Sequence, residues 1–348
     1  MQADVIHAAI LHAAGDLRVE PTSVPELGPR DVAVRIGAGG ICGSDLHYFN
    51  HGGVGAIRLR EPMILGHEIA GTVADIGPEV TRVKPGQRVA VDPSRPCGHC
   101  RFCIEGTPRQ CLNMLFLGSA MRMPHVQGGF RQMLVCTEAQ AVPVPDHVPV
   151  EHAAFAEPLA VCLHAVSQAG ALLGRRVLVT GVGPIGALCV MAARHAGARE
   201  IVATDVFDEP LASAAKVGAD LTLNTRKGPA ALERFGAAKG YFDVVFEASG
   251  HAAALTGAIG AARPGATLVL VGLGGDMALP INMIVAKELE LRGTFRFDAE
   301  FELAVDLIAS GRIDVAPLLT EIVPLRDAVR AFEMAGDRTR AMKVQLAL

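Results

Sequence analysis

The chain has no tryptophan and only two tyrosines among 348 residues, and aromatics make up 4 % of it. A core so poor in large rings must be built from small aliphatic side chains. Half the residues are hydrophobic, with 38 glycines and 21 prolines, a profile that suits buried parallel strands in an α/β protein. An excess of one charge is also missing: the formal net charge is −4, which leaves no basic footprint for nucleic acid or an anionic membrane. Long hydrophobic runs are absent as well. The stretch from Val177 to Ala193 is interrupted by Gly-Pro and falls short of a bilayer span. "MQADVIHAAILHAAGDLRVE" has no basic segment followed by a continuous apolar one, so no signal peptide is expected. These absences predict a soluble, cytoplasmic protein whose partner is a small molecule, with neither nucleic acid nor membrane involved.

What is present is organised in two styles. The first 150 residues read as short strands broken by turns, among them "DVAVRIGAGG", "EIAGTVADIG" and "QRVAVDP". This predicts an antiparallel, barrel-like region. From about Gly174 strand and helix patterns alternate: "RRVLVTG", then "PIGALCVMAARHAGA", "EIVATD", "EPLASAAKVGA", and the strands "YFDVVFEASG", "ATLVLVGLGG" and "LELRGTF". That rhythm predicts a doubly wound parallel sheet. An amphipathic helix, "EFELAVDLIASGRI", and a closing strand, "AMKVQLAL", follow.

Four of the eight cysteines lie between 97 and 111, spaced C-x2-C-x2-C-x7-C. A reducing cytoplasm disfavours disulfides, and the last gap does not fit a ferredoxin-type iron–sulfur motif. Cys97, Cys100, Cys103 and Cys111 therefore read as a closed four-thiolate structural zinc site. Such a site stabilises its loop by about 10–16 kcal/mol of apparent binding free energy in small zinc peptides. His99, inside the cluster, reads as a solvated loop residue.

At the first strand–helix junction stands Gly181-Val182-Gly183-Pro184-Ile185-Gly186, and Asp205 closes the next strand. A G-x-G-x-x-G alone is weak, but between a strand and a helix and followed by an acidic residue it is a dinucleotide fingerprint. Helix N-terminal amides would hold the pyrophosphate, and Asp205 would accept from the adenosine ribose hydroxyls. No arginine follows directly in "DVFDEP", so NAD is favoured over NADP.

A closed zinc site does no chemistry, so an active centre must lie elsewhere. Cys42 sits in a Gly-bracketed turn, His67 and Glu68 open a strand, and Glu157 stands in an apolar surround, "AFAEPLAV". A lone buried carboxylate is costly. One Cys, one His and one carboxylate from separated segments would leave a coordination position open, the form of a catalytic zinc. The plainer alternative is that each is merely packed.

"GHEIAGTVADIGPEV", the cysteine knot and "GVGPIG" occur in the order found in zinc-containing medium-chain alcohol dehydrogenases, and the chain resembles that family along essentially its whole length. "ICGSDLHYFNHGGVG", "AFAEPLAV" and "LRGTFRF" are similar to its sorbitol dehydrogenase branch. The resemblance implies a GroES-like β-barrel catalytic domain from residues 1–152 and 295–348, with a Rossmann NAD-binding domain, 153–294, inserted between. It implies one catalytic and one structural zinc per chain and assigns Cys42 and His67 to the catalytic ion, with Glu68 or Glu157 as third ligand. It further implies a proton relay through Ser44, the cofactor ribose and His47, substrate contacts from Tyr48 and Arg296, and a homo-tetramer or dimer. The expected reaction is reversible hydride transfer between NAD and a secondary alcohol of a polyol or sugar acid. A sugar acid carries a carboxylate, for which Arg122 and His125 are candidates. A non-catalytic NAD-binding zinc protein is the alternative of another class.

Overall fold

The computed structural model describes residues 5–348, so the first four residues of the expected catalytic domain lie outside it. Two compact units result. One runs up to Glu157 and resumes over Phe301–Asp337 and Lys343–Leu348; the other comprises Pro158–Glu300 and Arg338–Met342. The divisions fall a few residues beyond 152 and 294. Helices Ala156–Ala169 and Glu300–Ala309 carry the chain across, and each division cuts a first helical turn.

In the first unit the Asp31–Gly40 strand is the hub of a seven-stranded sheet. One edge pairs antiparallel with Glu68–Ile76. The other is shared by Met133–Thr137, along residues 31–35, and Lys343–Ala347, along 38–40. Register irregularities at Ala33/Val34 and Ile36/Ala38 bend the strand as bulges do. Alternation sets the faces: Val32, Val34 and Ile36 are buried with Ile69, Val73, Val89 and Leu134, while Arg35 points to solvent. The closing strand lies beside Leu319–Pro324 in parallel, joined to it through the Ala328–Gly336 helix; neither Leu319–Pro324 nor that helix was expected from the pattern.

The second unit is the predicted parallel sheet. Its order is Leu221–Asn224, Glu200–Asp205, Arg176–Thr180, Phe242–Glu247, Ala262–Leu270, Glu290–Gly293, and every pairing is parallel. Counted along the unit this is 3-2-1-4-5-6, the dinucleotide-binding order. Covered on both faces, the strands are continuously apolar: Val177, Leu178 and Val179 are fully buried, as are Val202, Val245 and Leu268. The order reverses between Arg176–Thr180 and Phe242–Glu247, which opens a ligand crevice at their carboxyl ends. Among the described residues no helix is long and apolar enough to cross a membrane.

Candidate active site

The four clustered cysteines converge. Cys97, Cys100, Cys103 and Cys111 offer sulfurs that all lie within 4.8 Å of one another. A tetrahedron of thiolates with zinc–sulfur bonds of about 2.3 Å has sulfur–sulfur edges of about 3.8 Å. Cys100 Sγ lies 3.5 Å from Cys103 Sγ and 3.9 Å from Cys111 Sγ, far beyond a disulfide bond of about 2.05 Å. The backbone N–H groups of Cys97 and Asn113 donate to Cys111 Sγ at 3.2 and 3.3 Å, the service a thiolate requires. Backbone donation from His99 brings the Cys97 thiol down to about 6, whereas burial and the neighbouring sulfurs push Cys103 up to about 12. The donor set fits zinc.

A second convergence joins Cys42, His67 and Glu68, whose ligand atoms also lie within 4.8 Å of one another. Cys42 immediately precedes the Gly43–His51 helix, and Glu68 begins the Glu68–Ile76 strand. Glu157 is outside that trio but buried beside it; burial drives its carboxyl well above the usual range, opposed by His67 and reinforced by Glu68 and Cys42. Burial likewise pushes the Cys42 thiol up to about 12, with Glu68 adding to it. A cation among these groups would favour their deprotonated forms and offset their charge. His67 Nδ1 and Glu68 Oε2 are buried with no hydrogen bond. A thiol, an imidazole and a carboxylate converging with their ligand atoms within 4.8 Å of one another are a donor set that fits a resident metal ion.

Two residues hold this arrangement that sequence reasoning passed over. Asp45 is fully buried; its Oδ2 accepts from Cys42 N at 3.0 Å and its Oδ1 from Gly66 N at 3.2 Å, tying the two ligand-bearing loops together. Its Oδ1 also faces His67 Nδ1 at 3.7 Å, on the side of the ring that second-sphere carboxylates use to orient a metal-bound histidine. Lys343, in the closing strand, pairs with Glu68 Oε2. The signals were a carboxylate three residues after Cys42 and a single lysine in an otherwise uncharged strand.

Ser44 and His47 lie three apart on the Gly43–His51 helix, hence on one face. The Ser44 hydroxyl lies beside the Cys42 thiol and works against the rise in its pKa, and His47 is exposed. Tyr48 is 4 % exposed; its oxygen accepts from Ala120 N at 3.1 Å, leaving the phenolic proton free to donate. Arg122 and His125 are not placed to take a substrate carboxylate. The Arg122 guanidinium donates to the carbonyls of Leu112 and Met114. His125 accepts from Arg60 N at Nε2, 2.9 Å, and its Nδ1 lies 2.7 Å from Arg122 O, which uses both ring nitrogens in loop structure.

In the second unit Gly181 has φ +76, and a Cβ there would lie 2.6 Å from the Ser249 side chain; one on Gly186 would lie 1.9 Å from Gly181 O. Only glycine allows this turn. Gly183 precedes the Pro184–His195 helix, and no side chain caps that N-terminus, so its first amides are open to a phosphate. Ile185 O accepts the Cys162 thiol at 3.3 Å. Asp205 accepts from Val182 N at 2.9 Å, Val206 N at 2.7 Å and Phe207 N at 3.1 Å. Three of about four carboxylate lone-pair positions are thereby used, and one is left for a ligand. Glu247, 2 % exposed, accepts from the N–H groups of Ser249 and Gly250 and fixes the loop at the crevice. Arg296 is held at φ +55, a costly backbone for a non-glycine residue, with its guanidinium 4.8 Å from the Phe295 ring centre.

Residues 28–146 match the family model of the alcohol dehydrogenase GroES-like domain, and residues 184–310 that of zinc-binding dehydrogenases. The chain is 46 % identical over 314 residues to L-idonate 5-dehydrogenase (NAD(P)(+)) of Escherichia coli, covering 90 % of each chain. It is 38 % identical over 344 residues to sorbitol dehydrogenase of Gallus gallus, covering 97 % of this chain and 95 % of that one. The crystal structure of L-idonate 5-dehydrogenase from Escherichia coli matches with a TM-score of 0.96 at 42 % identity, covering 100 % of this chain and 99 % of the other.

Proposed function

We propose a reaction from one premise: the chain belongs to the zinc-binding alcohol dehydrogenases with a GroES-like domain. It is a zinc- and NAD(P)-dependent oxidoreductase acting on a small molecule. Our reading of its reaction is reversible oxidation of L-idonate at C5 to 5-keto-D-gluconate, with NAD favoured over NADP. The observation that carries the substrate is the 46 % identity over 90 % of both chains to a relative of that activity, against 38 % to a sorbitol dehydrogenase.

A zinc ion held by Cys42, His67 and a carboxylate, Glu68 or Glu157, supplies Lewis acidity that lowers the pKa of an alcohol, and NAD carries the hydride. The protein's own residues do the rest. Asp45 orients His67. The Ser44 hydroxyl, beside the Cys42 thiol, accepts the substrate proton and passes it through the cofactor ribose to His47, whose exposed ring delivers it to solvent. Tyr48 donates its phenolic proton to a substrate oxygen, and Arg296 bonds substrate hydroxyls. Gly181, Gly183, Pro184, Ile185 and Gly186 present backbone to the pyrophosphate, and Asp205 offers its remaining lone pair to the ribose. We take the catalytic domain as 1–152 with 295–348 and the cofactor domain as 153–294. All eight cysteines are free, which suits a cytoplasmic enzyme. The edge strand Glu290–Gly293 pairs on one side only within its sheet, and this favours assembly into a dimer or tetramer.

The test is oxidation of L-idonate, other aldonates and sorbitol with NAD, read as kcat/KM with product analysis. We expect L-idonate to be the best of these. Sorbitol turned over more efficiently than L-idonate would replace the narrow reading with a polyol dehydrogenase, and turnover of none would favour a non-catalytic zinc protein.

A further inference from the structure

We infer that Lys343 is a positioning residue for the metal site: its ammonium holds one oxygen of Glu68, so that Glu68 meets a cation at Cys42 and His67 with the other oxygen alone. The inference rests on the zinc reading of Cys42 and His67 above.

Three adjacent strands build the device. Gly40 pairs with Glu68 on one side and with Gln345 on the other. Glu68 and Lys343 therefore sit on strands that are not neighbours, and their ion pair passes over the strand that ends at Gly40. It can do so because Gly40 has no side chain: a Cβ there would stand 2.1 Å from Glu68 Oε2 and 3.0 Å from Lys343 Cε. Both partners are buried, Glu68 to 1 % and Lys343 to 3 % exposure. The ammonium also donates to Ile41 O at 3.1 Å, one residue from Cys42. An ion pair in such surroundings is a poor way to gain stability, since an apolar residue of similar volume packs as well or better. Val344 and Leu346, beside Lys343, are buried by ordinary packing. A lysine here makes sense as a constraint on Glu68. The ammonium is the partner of Oε2, and with that oxygen engaged Glu68 cannot chelate through both. A low ligand count is what keeps a catalytic zinc open to substrate.

The test replaces the catalytic ion by cobalt(II), with zinc retained at the Cys97–Cys111 site, and reads the visible d–d absorption. Retained zinc and NADH binding control for folding. Lys343→Met frees the second carboxylate oxygen, and we expect loss of the strong absorption of a low-coordinate ion. Lys343→Arg keeps a cation over Gly40 and should keep the wild-type spectrum. Gly40→Ala wedges a methyl against Oε2 and should disturb the spectrum while leaving Lys343 in place, which covers the case in which Lys343→Met fails to fold. In a Glu68→Gln background, Lys343→Met should add nothing. An unchanged spectrum in Lys343→Met, or a change that persists undiminished in the Glu68→Gln background, overturns the inference. If Glu68→Gln alone leaves the spectrum untouched, Glu68 is no ligand and the clamp falls while an enzyme using Glu157 stands. If the wild-type protein takes up no cobalt at Cys42, both fall.

Discussion

A buried carboxylate needs donors or a cation, and four carboxylates here differ in how that need is met. Asp45 and Asp205 take backbone N–H groups, Glu68 takes Lys343, and Glu157 has neighbours that, apart from His67 and Lys343, raise its pKa further. The consequences differ. Asp205→Ala strips acceptors from Val182, Val206 and Phe207 at once. Leaving the buried Val182 donor unmet costs about 1–3 kcal/mol, and the proposed ribose partner goes too. We expect a lowered Tm and a raised KM for NAD, with little change in the KM for substrate; an unchanged KM for NAD would remove Asp205 from the cofactor site. On the proposed zinc reading, Cys42→Ser takes a soft ligand from the catalytic ion and leaves the Gly181–Gly186 turn intact. Zinc content should drop from two to one per chain and turnover should be lost, with NADH still bound, as read by metal analysis and fluorescence titration. Full activity in this variant would remove Cys42 from the metal site.

Elements carry the lobe that contains the cysteine knot. Its regular structure amounts to a short helix, Arg101–Ile104, a 3-10 turn, Pro108–Gln110, and the two-residue strands Ser94–Arg95 and Leu115–Phe116. None of these would be stable alone, and Ile104, Leu112 and Leu115 are exposed rather than packed. On the structural-zinc reading, the metal is what holds the lobe together. Cys103→Ser should release one zinc and open residues 96–114 to proteolysis, while the parallel-sheet unit keeps its protection in hydrogen exchange. Protease resistance equal to that of the wild type would show that packing suffices. Legibility follows the same division between local and non-local causes. The knot, the glycine turn and the apolar parallel strands were readable because each is set by spacing or composition within one segment. Asp45 and Lys343 were not, because their roles arise only when strands distant in the chain pair across Gly40 or when two loops meet. The loop bonds of Arg122 and His125 were hidden for the same reason: their partners are main-chain carbonyls and amides, which leave no mark in the side-chain pattern. The strand Leu319–Pro324 escaped notice because polarity runs against its burial: Glu321 stands on the more buried face and Ile322 on the exposed one.

At the scale of the whole molecule, a TM-score of 0.96 at 42 % identity means that more than half the side chains can change while the backbone path stays. What keeps that path includes charge pairs as well as packing, and one of them gives global stability a pH dependence. In the second unit, Glu300 Oε1 lies 2.9 Å from His164 Nδ1 and Oε2 accepts from Asp298 N at 2.9 Å. Partial burial pushes the Glu300 carboxyl up, but the imidazole and the backbone amides together pull it down further, to about 2. The folded-state pKa is thus below that of the unfolded chain, near 4.5. The unfolded state binds the proton first as the solution is acidified, so Glu300 stabilises the fold fully above that value, and the contribution fades as pH falls through the folded-state value. The slope from this one group cannot exceed about 1.4 kcal/mol per pH unit. Glu300→Gln should therefore be less stable than the wild type at neutral pH, and the gap between the two should narrow steadily between pH 4.5 and 2. Paired urea titrations across that range give the gap directly. A gap that stays constant with pH would mean that Glu300 contributes through its shape and hydrogen bonds, with no share from its charge.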